Sequence, residues 1–170
     1  MPLEGVSESL WTHWHSHPEV LVGLGALLGA YLVGVGPIRK RNSLAAEVDP
    51  RQIATFTAGV LVVFVALLSP LHIISDNYLF SAHMLQHVLL TLVAPPLLIL
   101  GTPNWLIRPL LRPDWAIKLF RLAVHPIVAF AAFNLVFALW HVPGLYVGSV
   151  ANQWLHIVEH IVFMTTATLM

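Results

Sequence analysis

Cysteine is absent from the chain and charge is scarce: of 170 residues only 9% are Asp, Glu, Lys or Arg. The missing cysteine excludes disulfide frameworks, thiolate metal sites and cysteine nucleophiles together, while saying nothing of the redox compartment. The missing charge excludes a water-facing surface, because a soluble domain carries about a quarter charged residues. Eight basic residues balance eight acidic ones, and a neutral chain lacks the basic footprint that nucleic acid requires. Met1 to His17 does not read as a signal peptide, which sets basic residues before an apolar run and a small-residue cleavage site. That segment holds Glu4, Glu8, Trp11, Trp14 and three histidines instead. The chain is 58% hydrophobic, and its ten histidines outnumber its eight Lys and Arg.

A membrane-spanning helix needs about 20 mainly apolar residues. Five stretches meet or approach that length, at about 19–38, 52–71, 78–100, 123–141 and 152–170. The expected fold is therefore all-α, a polytopic transmembrane helix bundle of about five spans. It forms one transmembrane domain over 1–170, with residues 1–18 as an outer tail. The last run is still apolar at Met170, so the chain reads as part of a longer protein. Pro37, Pro70, Pro103 and Pro143 fall near helix ends, where a missing N–H costs least. Pro95 and Pro96 fall late in the third span and should kink or loosen it. Gly25 and Gly29, continued by Ala30 and Gly34, have the small-residue spacing that allows close helix contact in lipid. Glycine is also simply common in membrane helices.

All eight basic residues follow the first or third span: Arg39, Lys40, Arg41 and Arg51, then Arg108, Arg112, Lys118 and Arg121. The positive-inside rule makes that side cytoplasmic and puts the N-terminus and the loops 73–77 and 142–151 outside. Nine of the ten histidines then lie at or just below the outer surface. His13, His15 and His17 are in the tail, and His72 and His141 close the second and fourth spans. His83 and His87 lie in the third span, His156 and His160 in the fifth; His125 alone is on the inner side and reads as structural.

The paired histidines repeat as His83-Met-Leu-Gln-His87 and His156-Ile-Val-Glu-His160. Each pair follows a helix that ends in His and a short outer loop, which suggests two copies of one unit sharing a site. Residues at i and i+4 lie on one helical face about 6 Å apart, close enough to chelate one ion. Two such helices offer four imidazoles, with Glu159 as an oxygen ligand or as the partner that fixes a histidine tautomer. Met84 and Met164 can add a thioether to a soft ion such as Cu(I), or simply pack. The histidines can equally be interfacial, bonded to backbone or headgroups, and the tail cluster with Trp11 and Trp14 fits an interfacial belt. Imidazole and carboxylate suit Zn, Cu, Fe or Ni alike. Haem b is the rival cofactor; its two axial ligands approach from opposite faces, which one i, i+4 pair cannot do, although a histidine from each helix could. The inner half of the bundle carries no polar line that would mark a transport path.

The chain resembles the CtaG-type cytochrome c oxidase assembly factors of bacteria. The resemblance runs through Trp14-His-Ser-His-Pro18, Leu68-Ser-Pro-Leu71, Leu79-Phe-Ser-Ala-His-Met-Leu-Gln-His87, Ala94-Pro-Pro96 and Leu100-Gly-Thr-Pro103. It continues through His125-Pro126, Trp140-His-Val-Pro143 with Leu145-Tyr146, and His156-Ile-Val-Glu-His160. It implies a multi-pass protein of the bacterial inner membrane, not an enzyme, that handles copper at the outer face while the oxidase matures. The implied metal residues are His83, His87, His156 and His160, with His72, His141 and Glu159 nearby; Met84 is a further candidate from its position beside His83 alone. The implied partners are the bilayer, cytochrome c oxidase subunits and other copper chaperones. A b-haem electron-transfer subunit and a metal-free scaffold are the alternatives.

Overall fold

A computed structural model describes residues 18–77 and 79–170, and among them helix is the only regular secondary structure. The tail histidines His13, His15 and His17 lie outside the described residues. The chain divides into two compact units, Met1–Gly101 and Thr102–Met170.

In the first unit, α1 covers Pro18–Arg41, α2 Pro50–Leu68, α3 Pro70–Asn77 and α4 Phe80–Gly101. Helices α1, α2 and α4 are long and apolar enough to cross a membrane. Asp49 begins α2 by accepting the Arg51 N–H at 2.8 Å, with Pro50 in the first helical position, where its missing N–H costs nothing. Pro95 and Pro96 do loosen their helix, in a specific way. A π-helical turn, Leu89–Val93, stands immediately before them, widening the backbone where a proline ring would strike the carbonyl four residues back. The helix then runs on to Gly101. Pro37 sits inside a second π turn, Gly34–Ile38, and α1 continues through it to Arg41.

In the second unit, α5 is the short Asn104–Ile107, α6 is Asp114–Ala123, α7 Pro126–Trp140, α8 Pro143–Ala151 and α9 Gln153–Leu169. Helices α6 and α7 together are long and apolar enough for one span, but they bend by 66°. The last helix has 17 residues, about 25 Å at 1.5 Å per residue, slightly less than the hydrocarbon core. Among the described residues there are thus three membrane-length helices, or four with the bent pair, where the sequence suggests about five spans.

Three breaks share one cause. A residue before proline is forced out of the helical region, and Ser69, His125 and Val142 are all extended (ψ 169°, 126° and 131°). The second span therefore ends at Leu68 rather than 71. His72 does not close it but sits in the first turn of α3. Both expected outer loops, 73–77 and 142–151, are largely helical.

Close packing in the first unit centres on Gly101. Tyr31 stacks on Phe56 with ring centroids 3.8 Å apart, and its hydroxyl donates to the Gly101 carbonyl at 2.8 Å. A Cβ on Gly101 would lie 2.3 Å from the Phe56 backbone nitrogen, and one on Gly59 3.0 Å from the Leu98 side chain. The Gly25 and Gly29 positions open onto empty space, so the close helix contacts are made by other glycines than the GxxxG pair. In the second unit Phe163, fully buried on α9, packs against Phe137 and Trp140 of α7 at 5.6 and 6.2 Å. Gly101→Ala should lower stability by about 1–3 kcal/mol, the usual cost of overpacking, whereas Gly25→Ala should be neutral or slightly stabilising. Thermal unfolding of the two variants in detergent micelles checks the contrast.

Candidate metal centre

Each histidine pair begins at the fourth residue of its helix. Leu79 precedes α4 with φ −136° and ψ 113°, and Asn152 precedes α9 with φ −130° and ψ 110°. The His83 N–H bonds to the Leu79 carbonyl at 3.2 Å and the His156 N–H to that of Asn152 at 3.0 Å. From those matched starts the helices share one buried stripe. His83, Gln86, His87, Leu90 and Ala94 are buried on α4; Glu159, His160, Phe163 and Ala167 are buried on α9, beside a half-buried His156. The repeat thus extends past the histidines to a bulky apolar residue at the eleventh position of each helix and an alanine at the fifteenth.

In the first unit the two imidazoles already meet. His83 Nε2 and His87 Nε2 are 2.9 Å apart, with the ring planes 88° to one another. One ring donates to the other across that gap. Two nitrogens so placed are within reach of a single ion, whose bonds to imidazole run to about 2.0–2.1 Å, and chelation would expel the shared proton. Thr91 Oγ1 donates to the His87 carbonyl at 2.6 Å, satisfying the backbone ahead of the π turn.

Gln86 lies between the two histidines in sequence and is 1% exposed. Its Nε2 donates to the Ala66 carbonyl of α2 at 3.1 Å and faces His72 Nδ1 of α3 at 3.1 Å; its Oε1 accepts from Ser75 Oγ at 2.6 Å. A backbone carbonyl can only accept, so the contact with Ala66 fixes which end of the amide is which. The amide then donates to His72 Nδ1, leaving the His72 proton on Nε2. His72 is therefore held as an N–H donor on its outer nitrogen, which suits a supporting group better than a metal ligand.

His141 has the opposite tautomer. Its Nδ1 lies 2.7 Å from the Phe137 carbonyl one turn earlier in α7, so Nδ1 carries the proton and Nε2 presents the lone pair that binds metals. His156 and His160 pack with ring centroids 4.5 Å apart, and His156 Nε2 and both ring nitrogens of His160 are enclosed. Glu159, at the position equivalent to Gln86, is 2% exposed. Met84 is half-buried, one position beyond His83 and off its stripe. His125 is exposed before α7, where its carbonyl accepts the Ala129 N–H at 2.8 Å. Ser75 and the Ala66 carbonyl are the members of the network that the sequence does not reveal.

These features define a polytopic helical membrane protein with buried, paired imidazole donors. The sequence profile of the cytochrome c oxidase caa3 assembly factors (Caa3_CtaG) matches residues 29–170, and the chain belongs to that family. No curated protein and no solved structure matches it.

The tautomers are open to measurement. Ring ¹⁵N shifts should report His72 protonated at Nε2 and His141 at Nδ1. Gln86→Leu should randomise the first without touching the second. It should also cost about 1–3 kcal/mol for each buried group left unsatisfied.

Proposed function

We propose that this family member holds copper as cargo through His83, His87, His156 and His160 and supports its delivery to cytochrome c oxidase. The observation that carries the reading is the His83–His87 contact at 2.9 Å inside a buried helix face. Two imidazoles brought together in an apolar setting are a poor structural choice and a good chelate. The matched start and spacing of His156 and His160 support the second pair as its counterpart. His141 adds a nitrogen of the right tautomer, and Met84 a thioether suited to a soft ion. His72 and Glu159 act from behind: His72 through the Gln86 network, and Glu159 by orienting a histidine or adding an oxygen.

On this reading the histidine pairs face the outer side of a bacterial inner membrane, which the confinement of the basic residues to the opposite connections supports. The partners are then oxidase subunits and the chaperones that supply the metal. The role is assembly rather than catalysis.

Metal analysis of the purified chain tests the reading. Copper-loaded wild type should retain the ion through desalting, and His83→Ala/His87→Ala and His156→Ala/His160→Ala should each lose most of it. Glu159→Leu should weaken binding by about 10-fold or more, as expected for a group that orients a ligand. Copper retention unchanged in both histidine variants would leave a metal-free scaffold as the better account. A Soret band that shifts on reduction would replace copper with haem b.

A further inference from the structure

Half of the chain's basic residues lie within 108–121: Arg108, Arg112, Lys118 and Arg121, against the single acid Asp114. All four are exposed, and none of their side chains makes a hydrogen bond or salt bridge among the described residues. Arg108 and Arg112 precede α6, and the helix sets Lys118 and Arg121 on one face. Asp114, Lys118 and Arg121 follow one another at i, i+4 and i+7. Trp115, Leu119 and Leu122 take the neighbouring face at the same spacing and are 70%, 59% and 59% exposed. Ala116, Ile117 and Ala123 are half-buried on the remaining side.

The direction of α6 is as informative as its faces. The break at His125-Pro126 turns it 66° away from α7, whose sequence is apolar throughout apart from Asn134. If α7 crosses the bilayer, α6 lies much nearer to the membrane plane than to its normal. A helix with a basic face beside a bare apolar one has one stable position there. Its apolar side sinks into the boundary between headgroups and acyl chains, and its cations remain at the level of the phosphates.

We infer that residues 108–123 form a docking surface for anionic phospholipid, recruited from the same leaflet. Trp115, Leu119 and Leu122 enter the acyl boundary, and Arg112, Lys118 and Arg121 bind the phosphates. The net charge of the segment is four positive less one negative, or +3, with no carboxylate pairing to satisfy it internally. Each such cation near a surface adds to the attraction for anionic lipid.

The absence of cysteine makes the test clean, since one introduced thiol takes the only label. A fluorophore at Leu119→Cys is read in the full chain reconstituted into phosphatidylcholine vesicles. The quenchers are doxyl-labelled phosphatidylglycerol or doxyl-labelled phosphatidylcholine with the same acyl chains at equal mole fraction. The anionic quencher should be effective at a mole fraction lower by about 2-fold or more. The advantage should vanish in Arg112→Gln/Lys118→Gln/Arg121→Gln and be absent at a Leu135→Cys label on α7. Equal quenching by the two lipids in the unaltered background would overturn the proposal. So would a preference that survives the triple substitution or appears equally at Leu135.

Discussion

A polar side chain within a membrane helix has no water to fall back on, so protein groups must complete its hydrogen bonds. Around Gln86 that requirement organises the first unit. A single amide bonds to a carbonyl of α2, a histidine of α3 and, through its oxygen, a serine of α3. Three helices are tied at one point, and the amide cannot rotate without leaving a carbonyl unsatisfied. The histidines on either side of it inherit that rigidity. His83 and His87 stand on a helix whose rotation Gln86 sets, so the face that carries their contact at 2.9 Å is held in one direction.

The same need for internal satisfaction explains why prolines are prominent in a chain of membrane helices. Where proline falls within a long helix, a π turn absorbs the clash and the helix continues, as before Pro95 and around Pro37. Where it follows an extended residue, at Ser69, His125 and Val142, the chain stops and restarts. Two of these restarts produce short helices, α3 and α8, each leading after a brief extended break into a helix bearing a histidine pair. The duplication is thus one of architecture as well as of motif: a long helix, a proline, a short helix, and then histidines at the fourth and eighth positions. Gln86 in one copy and Glu159 in the other differ in what they bring to that shared position. The amide supplies donors and an acceptor, while the carboxylate offers charge to a cation.

Much of the fold was legible from hydropathy alone, because a span needs length and low charge, both read along the chain. The first three apolar runs fall close to three helices of membrane length. The errors cluster at prolines. The run 52–71 is apolar to its end, yet Pro70 cuts it after Leu68, and residues 73–77 and 142–151 are polar or glycine-containing yet helical. Hydropathy does not see backbone conformation. The histidine pairs were legible as well, because i, i+4 spacing places two side chains on one face whatever surrounds the helix. The GxxxG pair illustrates the opposite: small residues permit a close contact, but only a partner helix makes one, and Gly101 against Phe56 is where it forms.

The sequence by itself therefore determined the membrane class, the approximate helices, the paired donors and the family, since each depends on composition or on neighbours within about two turns. The tertiary structure decided which nitrogen of His72 carries its proton and how Gln86 is oriented. His72 receives its tautomer from a residue 14 positions away, and Gln86 its orientation from one 20 away. Tyr31 reaches 70 positions along the chain to Gly101. Such contacts depend on how helices pack, and no local pattern encodes them.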